Sequence, residues 1–427
     1  MQTVVFEVDN IDDLVRLCSD TNMSKFTTEE NNIIANMFKN TSSADPNFNL
    51  IIRLTKDLDL NYTDYWNKPE GSVFIALNRT NKIISKGGSD YNVNVNKCID
   101  GGVYNDNDEV ISKHSITNIY LRSGSIFIKK PFAEDSSSMA SAMSQTQPFL
   151  KNIDIELVSN SGIIFFHCPD NYNTNSVKSR SNRIFSNVCF NVKAYNMVNP
   201  LFVMKRGYDY NETSNPPVSL IQFENCVFNI YIAVINDVDI TKNCIFYILA
   251  NSSTVQSINF YSCIFRIRNA SNKTYALTYD ARISGAVILT AKFDTCALFI
   301  QDIGNQKPTY QDFNRVILLK VNPLSLNNAN NAFKFVNYYM AAFGDVSSNE
   351  KTQIILVEYG NGFAGLSTYA ANCSSSFYDK DKVKVFYWTP SRSMEEVDTV
   401  WLKSLTTSEC KNPLKLSEIG YIFCEET

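Results

Sequence analysis

The chain has 427 residues, 44% of them hydrophobic and 12% aromatic, a composition too apolar for a disordered polymer. Only 19% are charged and the formal net charge is −4, so a nucleic-acid partner has no electrostatic footprint, and the surface must be built largely from Asn, Ser and Thr. No apolar run reaches the roughly 20 residues of a membrane span, so no membrane insertion is expected.

Residues 1–48 read as an N-terminal cap with two short helices. Val4, Phe6 and Val8 alternate as a strand. Ile11, Leu14, Val15 and Cys18 then fall at helical spacing, with Asn10 placed to cap the helix start. Thr27-Thr-Glu-Glu30 is a capping box ahead of Ile33, Ile34, Met37 and Phe38. The opening segment lacks a basic stretch followed by an apolar core, so no secretory signal is visible.

From Leu50 a strand pattern begins. Ser72–Leu77 and Lys82–Ser85 are expected strands, Gly87-Gly88 and Gly101-Gly102 mark turns, and Ala133–Pro148 is a polar interruption. Self-similarity then dominates. The stretch Phe223-Glu-Asn225-Cys226-Val227-Phe228-Asn-Ile230 recurs around Asn243-Cys244, Ser262-Cys263 and Thr295-Cys296. It recurs more loosely around Asn118-Ile119, Asn152-Ile153, Asn187-Val188 and Asn337-Tyr338. The copies start at Ile116, Leu150, Phe185, Phe223, Thr241, Phe260, Phe293 and Phe335, giving steps of 34, 35, 38, 18, 19, 33 and 42 residues. The short steps predict a unit of 18–19 residues, too small for a pair of helices.

Side chains alternate between the two faces of a strand. Cys226, Phe228 and Ile230 share one face, and Phe223 is out of phase with them. Asn225 is therefore a predicted corner, since Asn tolerates left-handed backbone angles. The column Cys226, Cys244, Cys263 and Cys296 should point inward as buried free thiols. It lacks the His partners and paired short spacings of a zinc site, so no metal and no other cofactor is expected.

This pattern over residues 50–345 resembles the right-handed parallel β-helix of pectate lyases and phage tailspikes, with an Asn ladder at one bend. The segment before it, Leu54-Thr-Lys-Asp57-Leu-Asp59-Leu60 followed by Trp66-Asn-Lys-Pro69, is similar to β-helix entries in bacterial and phage surface proteins. The resemblance implies an all-β fold: a parallel β-helix over 49–345, the α-helical N-terminal cap over 1–48, and a β-rich C-terminal cap or tip domain over 346–427. The cap helices would cover strand edges that otherwise invite aggregation.

Loops between repeats carry Tyr172, Tyr208, Tyr210, Tyr275 and Tyr279, which suit sugar stacking or protein contact; packing onto the scaffold is the equal alternative. One residue past the Cys position, Val227, Ile245, Ile264 and Ala297 form an apolar column on the outward face. It should be covered by the chain's own loops or by another subunit, and the subunit is favoured. The column at Glu224, Lys242 and Tyr261 reads as solvated. Outward carboxylates at Asp237 with Asp239, and at Asp154 with Glu156, are the weak candidates for sugar-cleaving chemistry. Neither pair repeats across coils, so no catalytic residue is assigned.

The function expected is a non-enzymatic structural or attachment protein of a virion: a phage fibre, spike or capsid-decorating protein. Its partners would be further copies of itself, a trimer by analogy, other virion proteins and a host surface glycan. The alternatives are a polysaccharide-degrading tailspike and a bacterial surface adhesin.

Overall fold

The computed structural model describes residues 2–18, 26–38, 47–59, 75–76, 79–86, 89–121, 125–128, 148, 150–159, 164–168, 181–194, 202–206, 218–232, 244–250, 255–269, 273–281, 288–302, 315–322, 331–336, 339–343, 352–359, 366–371, 383–388 and 394–396. Among them the protein is mainly β, with one sheet of 18 strands and a second of 10. Pairing is parallel except in the hairpins Arg79–Lys86 with Ser89–Asp100 and Gly102–Tyr104 with Val110–Leu121, and in the pair Val383–Trp388 with Met394–Glu396.

The path explains the sheets. Val218–Glu224 bends at Asn225 and continues as Val227–Ile232 in the same long sheet. The chain crosses to Cys244–Ala250 in the ten-stranded sheet and returns as Val255–Tyr261, parallel to Val218–Glu224. The next circuits follow the same route, bending at Ser262 and Thr295. The long sheet is thus two ribbons of strands that meet at a corner. This is a solenoid-like stack of parallel strands.

One circuit takes the two short sequence steps, 18 and 19 residues, together. This corrects the expected unit. Cys244 does not stack on Cys226; it lies in the ten-stranded sheet opposite Tyr275. Strands of both sheets carry the same apolar alternation in sequence, so only the pairing partners tell them apart. Parallel pairing also runs on past residue 345. Thr352–Tyr359 lies beside Arg315–Asn322, Leu366–Ala371 beside Asn331–Val336, and Val383–Trp388 beside Thr352–Tyr359. What the sequence loses there is the corner motif, while strand-forming residues remain.

Register converts the motif into interior columns. The rings of Phe185, Phe223, Phe260 and Phe293 stack at 4.7, 5.1 and 4.7 Å. Phe190, Phe228 and Phe265 make a second stack at 5.0 and 4.7 Å. The two meet edge-on across the corner, as with Phe223 and Phe228 at 5.2 Å and 71°. Each such pair adds about 0.5–1.5 kcal/mol beyond area burial. Below Phe185 the first column continues through Leu150, Ile99, Ile52 and Phe6, all buried.

Two short helices follow the first strand. The strand Gln2–Val8 is the first rung, parallel to Asn47–Leu54. Helix α1 (Ile11–Cys18) is capped by Asn10, whose Oδ1 accepts from the Asp13 N–H at 2.8 Å. Helix α2 (Thr28–Phe38) has the reciprocal box: Thr27 Oγ1 accepts from the Glu30 N–H, and Glu30 Oε2 from the Thr27 N–H, at 3.2 and 2.7 Å. Leu14, Leu17 and Ile34 are buried, and Phe26 packs on Phe6 with centroids 6.0 Å apart. Arg16 ties the helices together, 2.8 Å from Asp13 and 2.6 Å from Glu30. Among the described residues no helix is long and apolar enough to cross a membrane.

Candidate functional site

Five successive circuits share one feature, a left-handed corner. Asn152, Asn187, Asn225, Ser262 and Thr295 all have left-handed backbone, with φ of 51, 55, 53, 53 and 57°. One such residue resets the side-chain phase, so that Phe223 before it and Cys226 after it both face inward. Asn187 Nδ2 donates to Asn152 Oδ1 at 2.9 Å, an amide link between two successive corners. Just inside, Cys226, Cys263 and Cys296 are free and fully buried. Each thiol donates to the phenylalanine carbonyl one circuit back: Cys226 to Phe185, Cys263 to Phe223 and Cys296 to Phe260, each at 3.4 Å. Burial pushes the thiols of Cys226 and Cys263 well above the usual range, so the column behaves as packing rather than as a nucleophile.

Outside the corner, the second ribbon carries a strip that changes character along its length. The column runs Ser115, Asp154, Cys189, Val227, Ile264, Ala297. Asp57 precedes Leu58, which pairs with Ile116, and so extends the column beyond Ser115. Asp57 Oδ1 accepts from the Ser115 N–H at 2.7 Å and lies 3.5 Å from His114 Nδ1. Lys113 Nζ is 3.8 Å from Asp154. Burial, opposed by Lys113 and reinforced by Asp57, holds the Asp154 carboxyl above its ordinary range. The Cys189 thiol is pushed up to about 11 by burial and by neighbouring Asp154. In the next outward column, Asn229 Nδ2 donates to Asn191 Oδ1 at 2.7 Å. One end of the strip is therefore ionic, the middle carries amides, and the far end is apolar.

The apolar end brings three of the four proposed interface residues together. Val227, Ile264 and Ala297 are consecutive in one column; Ile245 lies in Cys244–Ala250 of the other sheet. Within a single chain Ala297 is 1% and Ile264 9% exposed, so the chain itself shelters them, while Val227 stays half-buried. Asp154 and Glu156 share the strand Leu150–Ser159, and both were legible. Asp57, Lys113, His114 and Ser115 come to Asp154 only through pairing. Their signals were the Asp-x-Asp-Leu segment and one of just two histidines.

A second polar cluster sits at the corner beside the hairpin Gly102–Tyr104/Val110–Leu121. Asp100, 0% exposed, accepts from the Gly102 N–H at 3.0 Å and the Tyr104 hydroxyl at 2.7 Å, with Lys151 Nζ at 3.1 Å and Arg53 Nε at 3.9 Å. The Arg53 guanidinium lies 4.6 Å from the Tyr104 ring centroid. Burial works against the charge on Lys151, yet Asp100 raises its pKa on balance. Gly101 permits the close approach. A Cβ there would lie 2.8 Å from Asn152 O and 2.9 Å from the Ile153 side chain.

The remaining predicted residues fall elsewhere. Tyr275 and Tyr279 lie on the regular strand Lys273–Ala281, not on a loop; alternating Thr, Tyr and Leu there favours a strand despite polar flanks. Glu224 is opposite Ser186 on one side and Tyr261 on the other, and Tyr261 is in turn opposite Asp294. Tyr172, Tyr208, Tyr210, Asp237, Asp239 and Lys242 lie outside the described residues. Comparison with known protein families, with characterised proteins and with solved structures found no match.

Proposed function

We propose that the chain is a structural or attachment protein built as a right-handed parallel β-helix, a fibre, spike or decorating component of a virion. The observation that carries this reading is the unbroken interior stack, Phe185–Phe223–Phe260–Phe293 beside Phe190–Phe228–Phe265. A side-chain-filled interior repeated coil on coil makes a stiff rod, and a rod is suited to reach and assembly. The helices over the first rung block growth at that end. The half-buried Val227 edge of the apolar strip is the surface offered to another copy, a trimer by analogy, and the loops are offered to a host glycan or to other virion proteins. Light scattering on the purified chain tests this: a stable oligomer at micromolar concentration is expected, and a clean monomer would sink the assembly reading.

The Asp57–Ser115–Asp154 column favours a second reading, a polysaccharide-cleaving enzyme. It sets two carboxylates two rungs apart, about 10 Å between backbones, and the one with the raised pKa suits a general acid. Release of oligosaccharide from a host capsular glycan, lost in Asp154→Asn, would move the assignment to this class.

A further inference from the structure

We propose that the triad Arg53–Asp100–Lys151, with its carboxylate fully buried and both cations half-buried, is the register key of the N-terminal rungs. A parallel strand that slips by one residue turns its apolar side chains outward, so burial forbids odd slips. A slip by two restores the alternation, and hydrophobic patterning alone does not exclude it. From Asn152 onward another device does. The five circuits from Asn152 to Thr295 each have one left-handed corner residue, and a shift by two would force a strand residue into that conformation.

The first three rungs lack that device. Their corners fall at Asp9-Asn10, Thr55-Lys56 and Gly101, and among the described residues none of these has a positive φ. Here instead Arg53 is opposite Asp100, and Asp100 is opposite Lys151, in consecutive strands. Glu7, opposite Arg53, continues the alternation of sign. A shift by two would carry Asp100 about 7 Å along the strand, away from both cations, the Tyr104 hydroxyl and Asn152. The best-attested use of a buried ionic group is to fix alignment rather than to add stability.

The test uses the full chain with methyl-labelled isoleucine in solution NMR. Arg53→Met/Asp100→Leu/Lys151→Met removes all three charges and keeps apolar bulk. Asp100→Asn keeps the shape and removes one charge. Both should fold, with doubled signals from Ile52, Ile99 and Ile153 and single signals from Ile258 and Ile267, which lie among left-handed corners. Single signals for all five in either folded variant would overturn the proposal. So would loss of folding in the triple variant, which would place the triad among contacts needed for stability.

Discussion

Asn187 donates its side-chain amide to the side-chain carbonyl of Asn152, 2.9 Å away on the preceding circuit, and both residues hold left-handed backbone, φ 55 and 51°. Asn does two things there at once: it tolerates the bend, and it links one coil to the next. The bend makes a residue-specific prediction. At Asn225, φ 53°, Gly should be tolerated to within about 0.5 kcal/mol, whereas Val should cost about 1–2 kcal/mol or more, because Cβ crowds the following carbonyl. Chemical denaturation of the two variants checks the order, and equal losses would show that the bend is not what Asn supplies.

The thiol column makes a second prediction. Cys263 aligns through its neighbours with Cys226, Val188 and Ile153, so the column already accepts branched aliphatics. Cys263→Val should cost less than about 1.5 kcal/mol, as volume-conserving core changes do. Cys263→Asp should prevent folding, because it buries an unpaired charge. In the native protein Cys226, Cys263 and Cys296 should resist a thiol reagent and react only in denaturant.

Cys189 is less deeply placed than those three, yet its thiol is pushed up to about 11 by burial and by Asp154. Alkylation at Cys189 should be slow at neutral pH and accelerate only as pH approaches that value. Removing the Asp154 charge with Asp154→Asn should make it faster at a given pH. Peptide mapping after timed alkylation reads this directly.

The acids Asp13 and Asp154 should pull stability in opposite directions with pH. Hydrogen bonds from Asn10 and Arg16 lower the folded-state pKa of Asp13, so its contribution is full above the unfolded-chain pKa and is lost as pH falls through the folded one. Burial raises the pKa of Asp154, so its charged form opposes folding at neutral pH, and the opposition fades as pH falls through the raised value. Asp154→Asn should therefore be stabilising at neutral pH and without effect in acid, while Asp13→Asn should be destabilising at neutral pH and without effect in acid. Thermal melts of both variants across the acid range would show the divergence, and parallel curves would refute it.

Asp100→Ala removes the fully buried acceptor shared by the Gly102 N–H, the Tyr104 hydroxyl and Lys151, and losing a charged hydrogen-bond partner costs about 1.5–3 kcal/mol. Hydrogen exchange should quicken first at Gly102, whose N–H donates to Asp100, and at His114, whose N–H donates to the Gly101 carbonyl.

Residue types and spacings alone determined the parallel strand alternation, the corner at Asn225, the inward Cys226 column and both helix caps. Each of these rests on a local rule: period-two side chains, left-handed tolerance of Asn, or a donor three residues from its acceptor. Tertiary structure alone decided which strand lies beside which. Cys244 carries the motif yet belongs to the other sheet, Ile245 leaves the column of Val227, and Asp57 reaches Ser115 and thereby Asp154. It also decided that Asp100 meets Arg53 and Lys151. Those meetings depend on the number of residues spent in each loop between rungs. Loop length costs only the logarithm of its value in closure entropy, so the chain is free to vary it, and sequence spacing alone does not reveal the partner.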